Sequence, residues 1–343
     1  MARPVQEPGA QDMIASMRLP PALRGFILGS TMTLLTPVAS AAGVTTAEPE
    51  GETLRLWPGG VPGAEHVTAH EVFTERAPGG PLKDRIVEHV TQPAIVLFHA
   101  RAPAKGVTLL IVPGGGYARV VIDKEGFESA QWFAARGFDC AVLRYRLPAD
   151  GWAAGADAPV LDGLRALRLL RNRQAAAAGA APPRLGVIGF SAGGHLVARL
   201  ITEPTLSYPR VDAADDRSPR PDFAVLMYPV IATTGAAAHS GSADQLRAAG
   251  VTPVQLERYS PNLHVDASTP RTLLVHAADD SAVPVENSLL MFDALRRAGV
   301  RSELHVFDRG GHGFGLRGIA GKDAAAWPQL VQNWALADDA ASR

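Results

Sequence analysis

Short apolar runs alternate with segments of helical spacing through most of the chain after residue 51. Residues 107–112 form a continuous β-rich apolar run, as a strand covered on both faces requires. Residues 125–136 carry apolar positions at helical spacing and stop before Gly137, which predicts a helix. Further strands are predicted over 54–57, 88–97, 139–145, 223–228, 272–276 and 303–307, and further helices over 162–178 and 285–298.

This alternation determines the expected architecture. Strands that alternate with helices build a mostly parallel sheet with helices on both faces, here as one domain over residues 52–343. The connection over 230–263 follows a predicted strand and is longer than ordinary connections. We expect this connection to form a small lid over the ends of the strands.

The first 41 residues have a different character and predict a secretory signal peptide. Arg18 and Arg24 precede an uncharged run over 25–38, and residues 39–41 (ASA) supply the small side chains that a signal peptidase needs. The apolar stretch is shorter than the ~20 residues that span a bilayer, so we expect no stable membrane insertion. Residues 42–51 would be a linker, and the mature protein is expected in the periplasm or outside the cell.

Composition narrows the classes of partner. The chain has 33 basic and 34 acidic residues, for a formal net charge of −1. This balance gives no signal for binding nucleic acid or an anionic membrane surface. The sequence contains no HExxH motif and no cluster of His and Cys at metal-ligand spacing. We therefore expect no metal, no cofactor and no nucleic acid.

A serine flanked by glycines lies where one predicted strand gives way to a helix. In residues 189–193 (GFSAG), Ser191 follows an apolar run and precedes a helix-forming segment that includes His195. Glycines at 189 and 193 permit a turn so sharp that a side chain at either position would collide with the strand or the helix. Such a turn thrusts the serine hydroxyl outward and is typical of a nucleophile elbow.

The ends of other predicted strands carry groups that suit such a nucleophile, since ligands bind at the carboxyl ends of parallel strands. Three glycines over 114–116 follow the strand at 107–112, and their unhindered amides favour oxyanion binding. We expect Gly115 and Gly116 to donate to the oxyanion together with the amide of Ala192, the residue after the serine.

An acid and a histidine follow two later strands. Asp279 and Asp280 come after the strand at 272–276, and His312 comes after the strand at 303–307. A serine hydroxyl becomes a good nucleophile when a histidine takes its proton and a carboxylate orients that histidine. The chain order of serine, acid and histidine is therefore the order of a Ser-His-Asp triad on a parallel sheet.

Several further motifs accompany these residues. They are 56–60 (LWPGG), 62–63 (PG), 113–117 (PGGGY), 123–126 (DKEG), 143–148 (LRYRLP), 189–196 (GFSAGGHL), 228–230 (YPV), 276–284 (HAADDSAVP) and 310–315 (GGHGFG). On these motifs the chain from about 54 to 336 resembles bacterial α/β-hydrolase esterases of the acetylxylan esterase and feruloyl/acetyl esterase-like type, also described as endo-xylanase-like or dienelactone hydrolase-related. The resemblance implies an α/β-hydrolase fold and serine-dependent hydrolysis of a small-molecule or oligosaccharide ester, with an acetyl group on plant-wall carbohydrate as the expected substrate.

The spacing alone leaves the acid open among Asp279, Asp280 and Asp308. In related hydrolases the acid precedes a Val-Pro pair by three positions, which matches Asp280. Asp308 abuts its strand and is tethered too closely to His312 for a good approach to the imidazole. The resemblance therefore implies the triad Ser191, Asp280 and His312.

Two further residues are predicted to contact the substrate. Tyr117 lies beside the glycines, where its ring would wall the acyl pocket, and His195 follows the serine on its helix.

Three other functions share some of these features. A serine peptidase would use the same triad on amide substrates, and a general short-chain carboxylesterase would use it without preference for carbohydrate. A non-enzymatic binding protein of this fold would usually lack one triad member, whereas Ser191, Asp280 and His312 are all present here. Labelling by a fluorophosphonate separates the enzymes from the binding protein.

Overall fold

The computed structural model describes residues 51–176, 183–203 and 205–337. The predicted signal peptide at 1–41 and all but the last residue of the predicted linker at 42–51 lie outside these ranges. The strands are β1 (Glu52–Arg55), β2 (Val72–Glu75), β3 (Arg85–Glu88), β4 (Ala94–Phe98), β5 (Val107–Val112), β6 (Asp139–Arg144), β7 (Arg184–Phe190), β8 (Phe223–Met227), β9 (Arg271–Ala277) and β10 (Ser302–Phe307). The α-helices are α1 (Glu128–Ala134), α2 (Ala158–Ala176), α3 (Ala192–Thr202), α4 (Ser240–Ala248), α5 (Pro253–Leu256), α6 (Glu286–Arg297) and α7 (Trp327–Leu336).

Eight of these strands form one sheet in the order β1-β4-β6-β5-β7-β8-β9-β10. β4 pairs antiparallel with β1 and β6, whereas the pairs from β6 to β10 are parallel. Every residue of β5, β8 and β9 is buried. This burial explains why β8 is apolar throughout and why β5 and β9 are mostly apolar, because a strand covered on both faces has no polar side. β2 and β3 form a separate antiparallel pair.

Helices cover both faces of the sheet. The chain passes from β5 through α1 to β6 in one direction and from β6 through α2 to β7 in the other. Because such crossovers are right-handed, opposite directions place α1 and α2 on opposite faces. On the α1 face, Trp327 of α7 packs its buried ring against Phe133 and Phe190. On the other face, α2 and α3 approach closely at Gly163, where an added Cβ would lie 2.8 Å from Leu200.

The predicted mostly parallel sheet with helices on both faces is confirmed, and two local predictions are wrong. The single strand expected over 88–97 is divided, because His89 adopts a positive φ of 51° and the chain turns before β4. The helix expected over 125–136 begins as a π-helical turn, Ile122–Phe127, and becomes α-helical only at α1. At the π-helical turn, a contact with the glycine loop overrides the local pattern, because buried Glu125 accepts from the amide of Gly114.

Residues 230–263 contain α4, α5 and two short 3₁₀ turns. Their apolar side chains form a small cluster of their own, which includes Leu246, Leu256 and Tyr259 and packs against Ala156. The amide of Val230 donates to the carbonyl of Ser191, so this segment leaves the sheet directly beside the serine. Within the described ranges, no helix has the length and apolar character needed to cross a bilayer.

Candidate active site

Ser191 lies in a strained turn between β7 and α3. Its backbone angles are φ 53° and ψ −118°, a conformation that costs a non-glycine residue energy and persists only when its surroundings enforce it. The Ser191 amide donates to the carbonyl of Met227 at 3.0 Å, and the Ser191 carbonyl accepts from the amides of His195 and Val230, both at 3.1 Å. These bonds to β8, to α3 and to the segment at 230–263 hold the turn in place.

The glycines around Ser191 are required by contact with backbone atoms. A Cβ added at Gly189 would lie 2.4 Å from the carbonyl oxygen of Gly193, and one at Gly193 would lie 2.3 Å from that of Val112. Backbone atoms of a packed sheet cannot move aside as the end of a side chain can. Glycine is therefore required on both sides of Ser191, because β7, α3 and β5 pack too closely there for a Cβ.

The structure brings Ser191, His312 and Asp280 into one hydrogen-bonded chain. Ser191 Oγ lies 2.8 Å from His312 Nε2, and His312 Nδ1 lies 2.7 Å from Asp280 Oδ2. The other carboxylate oxygen, Asp280 Oδ1, accepts from the amides of Ala282 at 3.0 Å and Val283 at 2.9 Å. A serine, an imidazole and a fixed carboxylate in this arrangement have the geometry of a nucleophile, a general base and its orienting group.

A second histidine supports the carboxylate and was missed by sequence reasoning. His276, fully buried in β9, has Nε2 at 3.3 Å from Asp280 Oδ2 and 2.9 Å from the carbonyl oxygen of Val283. Since a carbonyl only accepts, Nε2 carries the proton, and Nδ1 accepts from the hydroxyl of Ser288 at 2.7 Å. Burial alone would raise the pKa of Asp280, but the hydrogen bonds from His276 and His312 outweigh it and hold that pKa well below its usual range.

The other two candidate acids do not contact His312. Asp279 Oδ1 accepts from the amides of Gly310 at 2.8 Å and Gly311 at 2.7 Å, so it fixes the loop that carries His312. Asp308 is exposed and pairs with Arg309. Among the three aspartates, the structure places only Asp280 against the imidazole.

The predicted oxyanion loop lies against the serine turn. Gly115 and Gly116 have φ of 131° and 66°, and a Cβ on Gly115 would lie 2.2 Å from the carbonyl oxygen of Arg119. The preceding glycine, Gly114, approaches so closely that an added Cβ would lie 2.8 Å from the Cβ of Ser191. Ala192, the third predicted donor, is the first residue of α3, where helix amides point outward without an intrahelical acceptor.

Tyr117 and His195 do not face the cavity, contrary to the predicted substrate contacts. Both side chains are buried, and Tyr117 Oη lies 2.8 Å from His195 Nδ1. His195 Nε2 lies 2.7 Å from the carbonyl oxygen of Tyr259, so both ring nitrogens are occupied by protein groups. The pair joins the glycine loop and α3 to the segment at 230–263, which is a packing role.

A buried carboxyl group links the glycine loop to the histidine loop and was also missed. Glu125 Oε2 accepts from the amide of Gly114 at 2.7 Å, and Glu125 Oε1 accepts from Tyr228 Oη at 3.1 Å. Tyr228 Oη in turn accepts from the amide of Gly315 at 3.2 Å, and its ring packs edge-on against His312. Burial raises the pKa of Glu125, although the Gly114 amide opposes that shift. The DKEG motif at 123–126 marked this position in the sequence, but its local pattern does not reveal what Glu125 binds.

A cavity of about 360 Å³ opens over Ser191. It is lined by the two predicted oxyanion glycines, the predicted nucleophile and base, and further residues that are mostly charged or polar. The full set is Arg76, Gly115, Gly116, Arg119, Val121, Lys124, Glu125, Ser191, His239, His312 and Gly313. His239 comes from the segment at 230–263, so that segment contributes to the wall of the cavity.

Comparison with known proteins identifies the family. The BD-FAE family model matches residues 97–295, more than half of the chain. The chain is 35% identical over 205 residues to the endo-1,4-beta-xylanase B of Butyrivibrio fibrisolvens, covering 60% of this chain and 32% of that protein. It is 32% identical over 226 residues to the acetylxylan esterase of Xylanibacter ruminicola, covering 65% of this chain and 44% of that protein. The chain thus spans less than half the length of each of these two relatives.

A solved structure matches over a larger share of both chains. The acetyl ester-xyloside bifunctional hydrolase of Caldicellulosiruptor lactoaceticus matches with a TM-score of 0.65 and 32% identity, covering 84% of this chain and 97% of that one. The family resemblance that the motifs suggested is confirmed. The strand order, the turn at Ser191 and these matches together show that the chain belongs to the BD-FAE family and is an acetylxylan esterase-like α/β-hydrolase.

Proposed function

We propose that the protein is a serine esterase that removes acetyl groups from carbohydrate. The observation that carries the proposal is the chain of hydrogen bonds from Ser191 through His312 to Asp280, with distances of 2.8 and 2.7 Å, on the floor of an open cavity. The carbohydrate part of the proposal is supported by the relatives, which are an acetylxylan esterase and an acetyl ester-xyloside hydrolase by name.

The first half of the reaction follows from these positions. His312 Nε2 takes the proton of Ser191 Oγ as the oxygen attacks the ester carbonyl. The charge that develops on the carbonyl oxygen is received by the amides of Gly115, Gly116 and Ala192. Asp280 keeps His312 in the tautomer that accepts at Nε2, and stabilises the imidazolium once it forms.

The second half returns the enzyme to its starting state. His312 gives its proton to the departing sugar alcohol, which leaves an acetyl group on Ser191. Water then enters, and His312 takes its proton as the water oxygen attacks the acetyl carbonyl. His312 returns the proton to Ser191 Oγ as the bond between that oxygen and the acetyl group breaks and acetate leaves. Since every group involved belongs to the chain, the proposed reaction needs no metal or cofactor.

Ser191→Ala tests the nucleophile. We expect the kcat for 4-nitrophenyl acetate to fall by about 10³-fold or more, because the remaining donors can bind the ester but cannot form the acyl-enzyme. The variant removes a single hydroxyl oxygen and should keep the Tm of the parent protein. Unchanged turnover in a folded Ser191→Ala variant would exclude the mechanism.

A panel of substrates separates the proposal from its rivals. It compares acetylated xylan, acetylated monosaccharides, feruloyl esters, 4-nitrophenyl esters of rising chain length and an amide substrate. The proposal expects the highest kcat/KM for acetyl groups on sugar. Preference for longer acyl chains without carbohydrate would indicate a general carboxylesterase, and cleavage of the amide would indicate a peptidase.

We also propose that residues 1–41 direct export to the periplasm or the medium and that 42–51 link them to the catalytic domain at 52–343. The support is the arginine, apolar and ASA pattern of that segment. Expression of the full chain in a Gram-negative host, followed by fractionation and N-terminal sequencing, should recover protein that begins at Ala42 outside the cytoplasm. Full-length protein confined to the cytoplasm would contradict the assignment.

A further inference from the structure

The rim of the active-site cavity carries basic side chains that the catalytic chemistry does not use. Arg76, Arg119 and Lys124 line the same cavity as Ser191. Arg76 is neutralised, because its guanidinium pairs with Asp84 at 2.7 Å. Within the described residues, Arg119 and Lys124 have no carboxylate partner. Two unpaired positive charges therefore stand at the opening of a cavity in a chain whose net charge is −1.

The two cations lie beside different loops of the site. Arg119 leaves the backbone beside the oxyanion loop, where its Cγ lies 2.8 Å from the position of a Cβ on Gly115. The Lys124 side chain runs past the histidine loop, with Cγ and Cε at 3.6 and 3.9 Å from the position of a Cβ on Gly315. One cation thus stands beside the oxyanion loop and the other beside the loop that carries His312.

Negative charge near the cavity does little to cancel them. Glu125 lines the cavity but is buried, and its burial favours the neutral form. Asp280 is engaged by His312 and His276, which separate it from the cavity. In a low-dielectric cleft, uncompensated charges of one sign attract a ligand of the other sign more strongly than they would in open water.

We propose that the alcohol part of the substrate carries a carboxylate, so that the enzyme prefers acetyl esters of an acidic sugar, a uronic acid or a sugar joined to one. This inference rests on the proposed esterase function. The carboxylate is placed on the alcohol because the acetyl group has no ionisable group of its own, whereas the sugar can carry one.

Two matched substrates test this preference. A methyl glucuronoside and a methyl glucoside, each acetylated at the same hydroxyl, differ only in a carboxylate against a hydroxymethyl group. We expect the kcat/KM for acetate release to favour the acidic substrate by about tenfold at low salt, since a partly exposed ion pair contributes about 0.2–1 kcal/mol and two are available. The ratio should decline in ~0.5 M NaCl, where screening is stronger.

Arg119→Gln with Lys124→Gln should bring the ratio close to one, chiefly through a higher KM for the acidic substrate. Lys105→Gln is the matched control, because exposed Lys105 precedes β5 at the opposite end of the sheet. It should leave the ratio as in the parent protein. A ratio near one in the parent protein, or a high ratio that survives the double variant, would overturn the inference. Absence of acetate release from both substrates would instead count against the proposed function itself.

A separate observation concerns His239, which caps α4 and lines the cavity. Its Nδ1 accepts from the amide of Ser242 at 3.1 Å, and it lies 2.9 Å from Ser242 Oγ. Because an amide only donates, Nδ1 carries no proton and the neutral ring holds its proton on Nε2. Burial, reinforced by His312, lowers the pKa of His239 and favours this neutral form.

The remaining nitrogen is available to a ligand. Within the described residues, His239 Nε2 has no hydrogen-bond acceptor, and the ring stands over the oxyanion loop with Cε1 at 3.7 Å from the position of a Cβ on Gly116. The geometry points to His239 as a substrate-binding residue whose Nε2–H donates to an oxygen of the bound sugar ester.

His239→Asn separates binding from capping, because asparagine is a good helix N-cap but presents no donor at the position of Nε2. We expect its Tm to stay within about 2 °C of the parent protein and its kcat/KM on the acetylated methyl glucoside to fall about five-fold, the worth of one neutral hydrogen bond. His239→Ala should lose both the cap and the activity. If His239→Asn restores the kcat/KM that His239→Ala loses, the residue is only a cap and the assignment is wrong.

Discussion

Two adjacent aspartates hold different partners at the end of β9. Asp280 binds His312 and His276, whereas Asp279 binds the amides of Gly310 and Gly311. The same pair of loops is thus fixed twice, once through the imidazole and once through the backbone. The spacing of the three candidate acids does not say which of them faces the imidazole. Adjacent residues in a turn point their side chains in different directions.

Substituting the two aspartates separates these roles. Asp280→Asn should lower kcat by about 10³- to 10⁴-fold, because an amide facing Nδ1 favours the wrong imidazole tautomer. Asp279→Asn keeps an oxygen that can accept from both amides, so its kcat should stay within about three-fold of the parent protein. Steady-state kinetics on 4-nitrophenyl acetate measure both, and the reverse order of effects would contradict the assigned triad.

The buried His195 predicts a pH dependence of stability. Burial, reinforced by Arg199, lowers the pKa of His195 to about 3, compared with ~6.5 in an unfolded chain. The stability that neutral His195 contributes is complete above pH ~6.5 and is lost as the pH falls toward ~3, because the unfolded chain takes up a proton that the folded chain does not. This one group contributes a slope of up to roughly 1.4 kcal/mol per pH unit to the free energy of unfolding.

Urea unfolding at several pH values between ~7 and ~4 measures this slope. His195→Gln cannot titrate, so its slope should be smaller by about one proton across that range. Equal slopes in the two proteins would show that His195 is protonated in the folded state or is not the group responsible.

At the scale of elements, the π-helical turn after the glycine loop ties together parts of the site that are distant in sequence. Through Glu125 it reaches Gly114, and through Tyr228 it reaches Gly315 of the histidine loop. The sequence pattern predicted an ordinary helix here, because periodicity records which side chains are apolar and not where a carboxyl group finds its donors.

Glu125→Ala should therefore loosen two loops at once. We expect kcat/KM for 4-nitrophenyl acetate to fall by about 10- to 100-fold, because small misplacements of catalytic groups are costly. Glu125→Gln keeps an acceptor for the Gly114 amide but turns an NH2 group toward Tyr228 Oη, which donates to Glu125 in the parent protein, so it should lose less activity than Glu125→Ala. Equal losses in both variants would mean that the contact with Gly114, which glutamine keeps, is not what the site requires.

Element positions along the sheet were well predicted for most of the parallel strands. The strand at 107–112 was placed at its observed bounds, and the strands at 223–228, 272–276 and 303–307 were placed within one residue at each end. Two other predictions failed. They are the single strand over 88–97 and the substrate contacts assigned to Tyr117 and His195. Those errors share a cause, since they depend on packing between segments that only the assembled sheet brings together.

For the molecule as a whole, the sheet explains why residues spread over two hundred positions meet. β5, β7, β9 and β10 run parallel, so the glycine loop, Ser191, Asp280 and His312 all follow carboxyl ends at one edge. The chain order of these groups could be predicted from the sequence because a parallel sheet converts position after a strand into position in space. The proposed sugar preference could not, because it is argued from Arg119, Lys124 and His239, which lie in connections between the strands of the sheet.

Trapping the acyl-enzyme tests the proposed function most directly. The purified protein is mixed with an acetylated xylo-oligosaccharide, quenched in acid within milliseconds, digested and examined by mass spectrometry. We predict an acetyl group on the peptide that contains Ser191, formed before steady-state release of acetate and absent from the Ser191→Ala variant. Steady release of acetate without any acetyl group on Ser191 would contradict the mechanism.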